Sequence, residues 1–209
     1  MKRLFVFLSM ILLFTYCKSD IVEPTSSQEK VTDYFPSSVG NYWIYKVYWA
    51  DSTLNFVDHN EIDSMFVQKD SVVNGNLYKV VKSSFLNETV LMRDSLNYLV
   101  THSGKKLLTL NKSDEILSQE SYTLNELTII LSFKMKNIDS TCIVPSGNYL
   151  CKYVIGLQKS SSSKSNYKER KVFYAYSKGL GRISRRLTFL ISNEYLEERL
   201  LRYNIIAKK

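Results

Sequence analysis

The chain has 209 residues, of which 44% are apolar and 23% charged, and it carries a formal net charge of +8. That length suits one domain, and all-β domains reach it readily. The positive balance invites a nucleic-acid reading. Its lysines and arginines are not gathered in one tract, however: Lys168, Arg170 and Lys171 form one group, and Arg182, Arg185 and Arg186 another. Lys and Arg on solvated edge strands, where they prevent edge-to-edge pairing, account for such spacing, and so does attraction to anionic lipid headgroups. No nucleic-acid partner is expected.

Lys2 and Arg3 precede an apolar run, Leu4 to Tyr16, interrupted by Ser9 and Thr15. A basic start followed by a short apolar stretch is the pattern of a secretory signal peptide. The run is about 13 residues, short of the roughly 20 that a membrane-spanning helix needs. No small-residue cleavage pattern closes it. Leu13-Phe14-Thr15-Tyr16-Cys17 instead resembles a bacterial lipobox, with Tyr16 standing where a small residue is usual. The resemblance implies a thioether-linked lipid on Cys17, cleavage just before it and palmitate-type acyl chains, which together hold a protein on a membrane. The alternative is a conventional signal with a spare thiol. Lys18, not an acidic residue, follows the cysteine; by analogy with enterobacterial sorting this implies the outer membrane, on its periplasmic or its surface face. Removing residues 1–16 leaves 193 residues and, with Lys2 and Arg3 gone, a charge of +6. Residues 17–33 are polar, contain Pro24 and read as a lipidated N-terminus and flexible tether. A single domain is expected over 34–209.

Short alternating segments between turn signals predict antiparallel strands throughout that domain. In NYWIYKVYWA (41–50), Trp43, Tyr45, Val47 and Trp49 share one face, and Tyr42, Ile44, Lys46 and Tyr48 share the other. Asn74-Gly75 between apolar runs predicts a hairpin, because both residues tolerate positive φ. Three further segments, ETVLMRD, NYLVTHS and KKLLTLN, continue as a meander. Residues 121–133 end in a strand, and their start is left open. The segments 171–177 and 181–191 flank Lys178-Gly179-Leu180, and 195–206 reads as a closing strand. KSSSSKSN (159–166) reads as a solvated hairpin loop. The fold expected is mainly β: a long curved antiparallel sheet or half-barrel of meander hairpins. A two-layer β-sandwich is the alternative.

Three segments carry a resemblance. Tyr34-Phe35-Pro36 with Val39-Gly40-Asn41-Tyr42-Trp43 and Tyr45 resembles the FPL-x-VGN-x-W-x-Y opening of a group of uncharacterised Gram-negative lipoproteins. Val144-Pro145-Ser146-Gly147-Asn148-Tyr149 with Cys151 is similar to their VPAG-T-F-x-C hairpin, and Tyr174-Ala175 with Gly179-Leu180-Gly181 to their YA-x-GVGLV segment. Ser37 and Ser146 depart from the group's Leu and Ala. The resemblance implies an envelope lipoprotein of this architecture and assigns no site.

The chemistry-bearing residues do not form a catalytic pattern. His59 and His102 lack metal-ligand spacing, and Glu197-Glu198 would point to opposite faces of a strand. There is no phosphate loop, nucleophile elbow, HExxH or CxxC. A non-enzymatic protein without metal or cofactor is expected. If Ser146-Gly147 forms a two-residue turn, Cys142 faces Cys151 across the hairpin; export permits a disulfide, and two small buried thiols are the alternative. Aromatic residues are the richest feature: Tyr42, Trp43, Tyr45, Tyr48 and Trp49, then Tyr167, Phe173, Tyr174 and Tyr176. Core packing explains such a set; a surface for an apolar or glycan ligand is the functional alternative, with Tyr42, Trp43, Tyr45, Tyr48 and Trp49 as its candidates. The expected function is a membrane-anchored binding module, or else an interaction lipoprotein that docks on an envelope protein.

Overall fold

The computed structural model describes residues 29–111, 113–124, 127–161, 168–190 and 192–206. The signal peptide, Cys17 and Tyr167 lie outside the described residues. Twelve strands follow a short 3-10 helix, Val31–Tyr34: β1 Tyr42–Ala50, β2 Phe56–Val73, β3 Asn76–Ser83, β4 Glu88–Ser95, β5 Tyr98–Thr101, β6 Lys106–Thr109, β7 Ile116–Leu124, β8 Leu127–Val144, β9 Gly147–Ser160, β10 Arg170–Ser177, β11 Gly181–Thr188 and β12 Tyr195–Asn204. All pair antiparallel in one sheet with the order β6-β5-β4-β3-β2-β1-β12-β11-β10-β9-β8-β7. The expected long curved sheet is therefore present, as a nearly closed barrel and not a sandwich.

The order places the first and last strands side by side in the middle of the sheet and leaves its two edges at β6 and β7. Side chains close this seam. Lys106 Nζ reaches Glu115 Oε1 at 3.1 Å, Tyr98 Oη donates to the same carboxylate at 2.9 Å, and Lys105 pairs with Glu120. The seam thus has charged partners where a ladder would have peptide bonds, which blunts both edges against foreign strands.

Alternation decides what fills the barrel. On β1, Trp43, Tyr45 and Val47 are fully buried. Register carries their face round the wall: Val47 opposes Glu198, Glu198 opposes Arg185, Arg185 opposes Tyr174 and Tyr174 opposes Val154. In the other direction Tyr45 opposes Asp63 and Trp43 opposes Met65. The opposite face carries Lys46 paired with Asp58, and Glu197 held between Arg186 and Arg199. A barrel whose inward face is mostly aromatic and aliphatic around a paired Arg185–Glu198–Asp63 cluster, and whose wall outside is charged, lacks the apolar outer face of a membrane-spanning barrel among these residues.

Two expectations shift in detail. Packing starts ahead of Tyr34, since Val31 is already buried. The β8–β9 turn is Pro145-Ser146, not Ser146-Gly147, because Val144 pairs with Gly147. Cys142 therefore opposes Tyr149 and Cys151 opposes Ser140, so the two cysteines are diagonal neighbours on one face and do not oppose each other directly.

Candidate functional site

One end of the barrel is plugged. The 3-10 helix touches both β5 and β11, which stand six places apart in the order of twelve and so on opposite walls. Local chemistry fixes it there. The Asp33 carboxylate accepts from Lys30 N at 3.0 Å, and the Asp33 carbonyl accepts from Gly179 N at 2.6 Å. Asn41 is fully buried; its Nδ2 donates to Pro36 O at 2.8 Å and its Oδ1 accepts from Ile206 N at 2.8 Å. Gly181, at φ +89°, packs against Pro36 and Trp43, and an added Cβ would meet both within 3.4 Å. Trp43 Nε1 donates to Leu180 O at 2.6 Å and Tyr45 Oη to Arg182 O at 2.9 Å. The opening segment and the Gly179–Gly181 segment, far apart in sequence, thus meet at the plug. The β8–β9 hairpin wraps beside them, where Ser146 N donates to Leu200 O at 3.0 Å.

Beside the plug lies a cavity of about 220 Å³ that opens to solvent. Val31 and Phe35 from the plug, Leu77 and Met92 from the wall, and Leu99 from β5 give it an apolar lining. Lys79 and Asp94 supply polar side chains from the wall, and Thr32 and Ser37 from the plug segment. Lys79 is paired with Asp70 at 2.6 Å. Arg93, of opposite parity to Met92 and Asp94, turns its guanidinium to the other face of the sheet, over the Tyr78 ring at 5.5 Å, where its Nη1 donates to the Asp94 carbonyl at 3.3 Å. Its buried Nε has no hydrogen-bond partner among the described residues. An apolar hollow with the Lys79 ammonium on its face suits a ligand with an apolar body and an anionic end. The volume lies below the roughly 300–1,000 Å³ of drug-sized pockets, so a short chain or one end of a longer one would fill it.

At the opposite end Trp49 stacks on Phe189, with centroids 5.5 Å apart and planes 5° from parallel. Trp49 Nε1 donates to Glu61 at 2.5 Å. With Leu190, Ser192 and Glu194 the pair borders a shallow depression of about 430 Å³.

The five aromatic candidates do not converge. Trp43 and Tyr45 are core residues whose polar atoms are spent on backbone carbonyls, so packing describes them. Tyr48 lies outside under the Arg199 guanidinium at 4.4 Å, Tyr42 is exposed on the wall, and Trp49 borders a hollow at the far end. Leu77, Lys79 and Met92 were legible in sequence only as strand residues.

Inside the barrel Arg185, Glu198 and Asp63 form a buried polar cluster that Arg182 joins through Glu198 at 2.9 Å. Asp63 also accepts from Ser83 and Ser84 hydroxyls and Phe85 N. Each carboxylate is satisfied by fixed donors. His59 and His102 are exposed, and among the described residues no group of three His, Cys, Asp or Glu is placed to hold a metal. Cys142 and Cys151 are buried free thiols. A hydrogen bond from Cys151 holds the Cys142 thiol below its usual range, and the same contact pushes Cys151 up.

No family model and no curated protein matches the chain. Solved structures do share its fold. A protein of Bacteroides fragilis, provisionally described as exported and of YmcC-like fold, is 12% identical over 82% of this chain and 98% of its own, with a TM-score of 0.50. A protein of Parabacteroides distasonis, provisionally described as a lipoprotein, is 11% identical over the same shares, also at 0.50.

Proposed function

We propose that this protein is an exported, lipid-anchored and non-catalytic binding module of the outer membrane. Its cargo is a small ligand with an apolar body and an anionic end, held beside the plug. The observation that supports the reading is the cavity itself: five apolar side chains with the Lys79 ammonium on the same face. A carboxylate or phosphate would meet that ammonium in a charge-assisted bond. Export and a lipid on Cys17 rest on the first seventeen residues, and the two fold relatives, one described as exported and one as a lipoprotein, agree with them.

Titration of a fluorescent medium-chain fatty acid tests the reading. Lys79→Gln should weaken binding at least about tenfold, the equivalent of a lost charge-assisted bond. Met92→Trp, which fills the hollow, should abolish binding while the circular dichroism spectrum is kept. Equal affinity in all three proteins would remove the site.

A second reading has its own observation. The parallel Trp49–Phe189 stack beside Ser192 and Glu194 is a platform of the kind that holds a sugar face. Loss of oligosaccharide binding in Trp49→Phe, with fatty-acid binding intact, would favour it. A stable co-purified envelope protein with neither ligand would favour the interaction lipoprotein.

A further inference from the structure

Exposed apolar side chains are unevenly placed on this molecule. The turn between β4 and β5 carries Leu96, 88% exposed. Leu96 and Asn97 have φ of 50° and 67°. Left-handed backbone favours Gly, Asn or Asp, so a leucine here is disfavoured both by its backbone and by its solvation. Val72 and Leu77 oppose each other near the tip of the β2–β3 hairpin, 67% and 55% exposed. On the β8–β9 hairpin, Cys142, Val144 and Cys151 share one face and are buried. Ile143 and Leu150, of the opposite parity, are 74% and 62% exposed. The meander brings these three turns to one end of the barrel, the plugged one. Among the described residues the opposite rim is sparser: Leu54 shares the left-handed backbone but is 42% exposed, with Val57 and Tyr122 scattered beyond it.

The direction of the chain says what covers this surface. Glu29, the first described residue, enters at the plugged end. Cys17 lies twelve residues before it. Twelve residues span at most about 40 Å when fully extended. A lipid on Cys17 would therefore keep this end close to the bilayer, and the apolar turns are the ones nearest to it. Farther up, the wall carries Lys46–Asp58 and Arg186–Glu197–Arg199, groups that belong in water and would stop deeper insertion.

We propose that the plugged end is a membrane-docking surface that seats Leu96, the Val72–Leu77 pair and the Ile143–Leu150 pair in the headgroup and upper acyl region of a phospholipid bilayer. Penetration of this kind is about 5–10 Å. Leu77 also lines the cavity, so a docked barrel holds its binding hollow against the lipid, where an apolar ligand is exchanged without crossing water. This inference rests on the anchored reading above.

The test uses the full chain, extracted from membranes and reconstituted in vesicles of equimolar phosphatidylethanolamine and phosphatidylglycerol, with or without bromine on the acyl chains. Leu96→Trp and Ile143→Trp report the plugged end, and Tyr122→Trp reports elsewhere. Bromolipid should quench the added emission of the first two by at least half and leave the third unchanged. Leu96→Asn, which suits the left-handed turn, should keep the fold and weaken retention of the Cys17→Ser protein on these vesicles severalfold. Acylated protein that sediments with vesicles while both rim indoles stay bright keeps the anchor and removes the docking surface. Protein without an acyl mass on Cys17 but with both rim indoles quenched keeps the surface and removes the anchor. Equal quenching of all three sites, or a dimer that shields Leu96 without any quenching, overturns the proposal.

Discussion

Glu198 and Arg185 face each other across β12 and β11 inside the barrel, joined by two hydrogen bonds, Nη2 to Oε1 at 2.6 Å and Nε to Oε2 at 2.7 Å. Glu198 has no solvent exposure, and it also takes Arg182. Removing the carboxylate leaves two guanidinium groups inside with only Asp63 and Glu88 nearby. Glu198→Ala should cost about 3–5 kcal/mol in urea unfolding, as broken buried pairs do. The double variant Glu198→Leu with Arg185→Met should cost less than the single one. A single variant as stable as the parent would show that the pair does not organise the interior.

Alkaline pH tests the burial of Tyr45. Desolvation is the largest cause of its shift and pushes its pKa up to about 12, with Arg182 opposing it. The folded value lies above the unfolded one near 10, so this stabilisation is complete below pH 10 and is lost as pH rises toward 12. Stability should fall in that window by up to about 1.4 kcal/mol per pH unit for this one group. Tyr45→Phe should unfold more gradually with pH there. An identical pH slope in both proteins would contradict a buried phenol.

Gly156 is the most tightly enclosed of the glycines. An added Cβ would sit 2.3 Å from Val172 Cγ2 and 2.6 Å from Phe133 Cε1, although the backbone itself is ordinary. Gly156→Ala should destabilise by about 1–3 kcal/mol through overpacking. Adding Val172→Ala should restore part of that loss, and a neutral Gly156→Ala would argue against this register of β9 and β10.

The register of the β8–β9 hairpin sets a prediction for its cysteines. Cys142 and Cys151 are diagonal neighbours, buried and unbridged. Thiol titration of denatured, unreduced mature protein should return two thiols, and the native protein should react slowly at both. No free thiol after denaturation would show a bridge instead.

Much of the wall was legible in the sequence because period-2 alternation is strong where one face is buried. Residues 42–49 display it, and Asn74-Gly75 supplies the two left-handed residues of its turn, at φ 49° and 74°. The β8–β9 turn was misplaced by one residue because Pro145, Ser146 and Gly147 all carry turn signals; pairing of Val144 with Gly147 decides it. Closure into a barrel was not legible. It depends on β1 meeting β12 and on a seam of charged side chains, both long-range facts. The hollow was invisible for a related reason: it exists only once the plug meets the wall of β3, β4 and β5.

The central claim is that an anchored barrel carries a small amphipathic ligand beside its plug. Native mass spectrometry of the full-length protein, extracted gently from membranes, tests it most directly. The account predicts acyl mass on the Cys17 peptide, together with a non-covalent adduct that is present in the parent and missing in Met92→Trp. An acylated protein with no adduct, or an adduct that Met92→Trp retains in full, would contradict it.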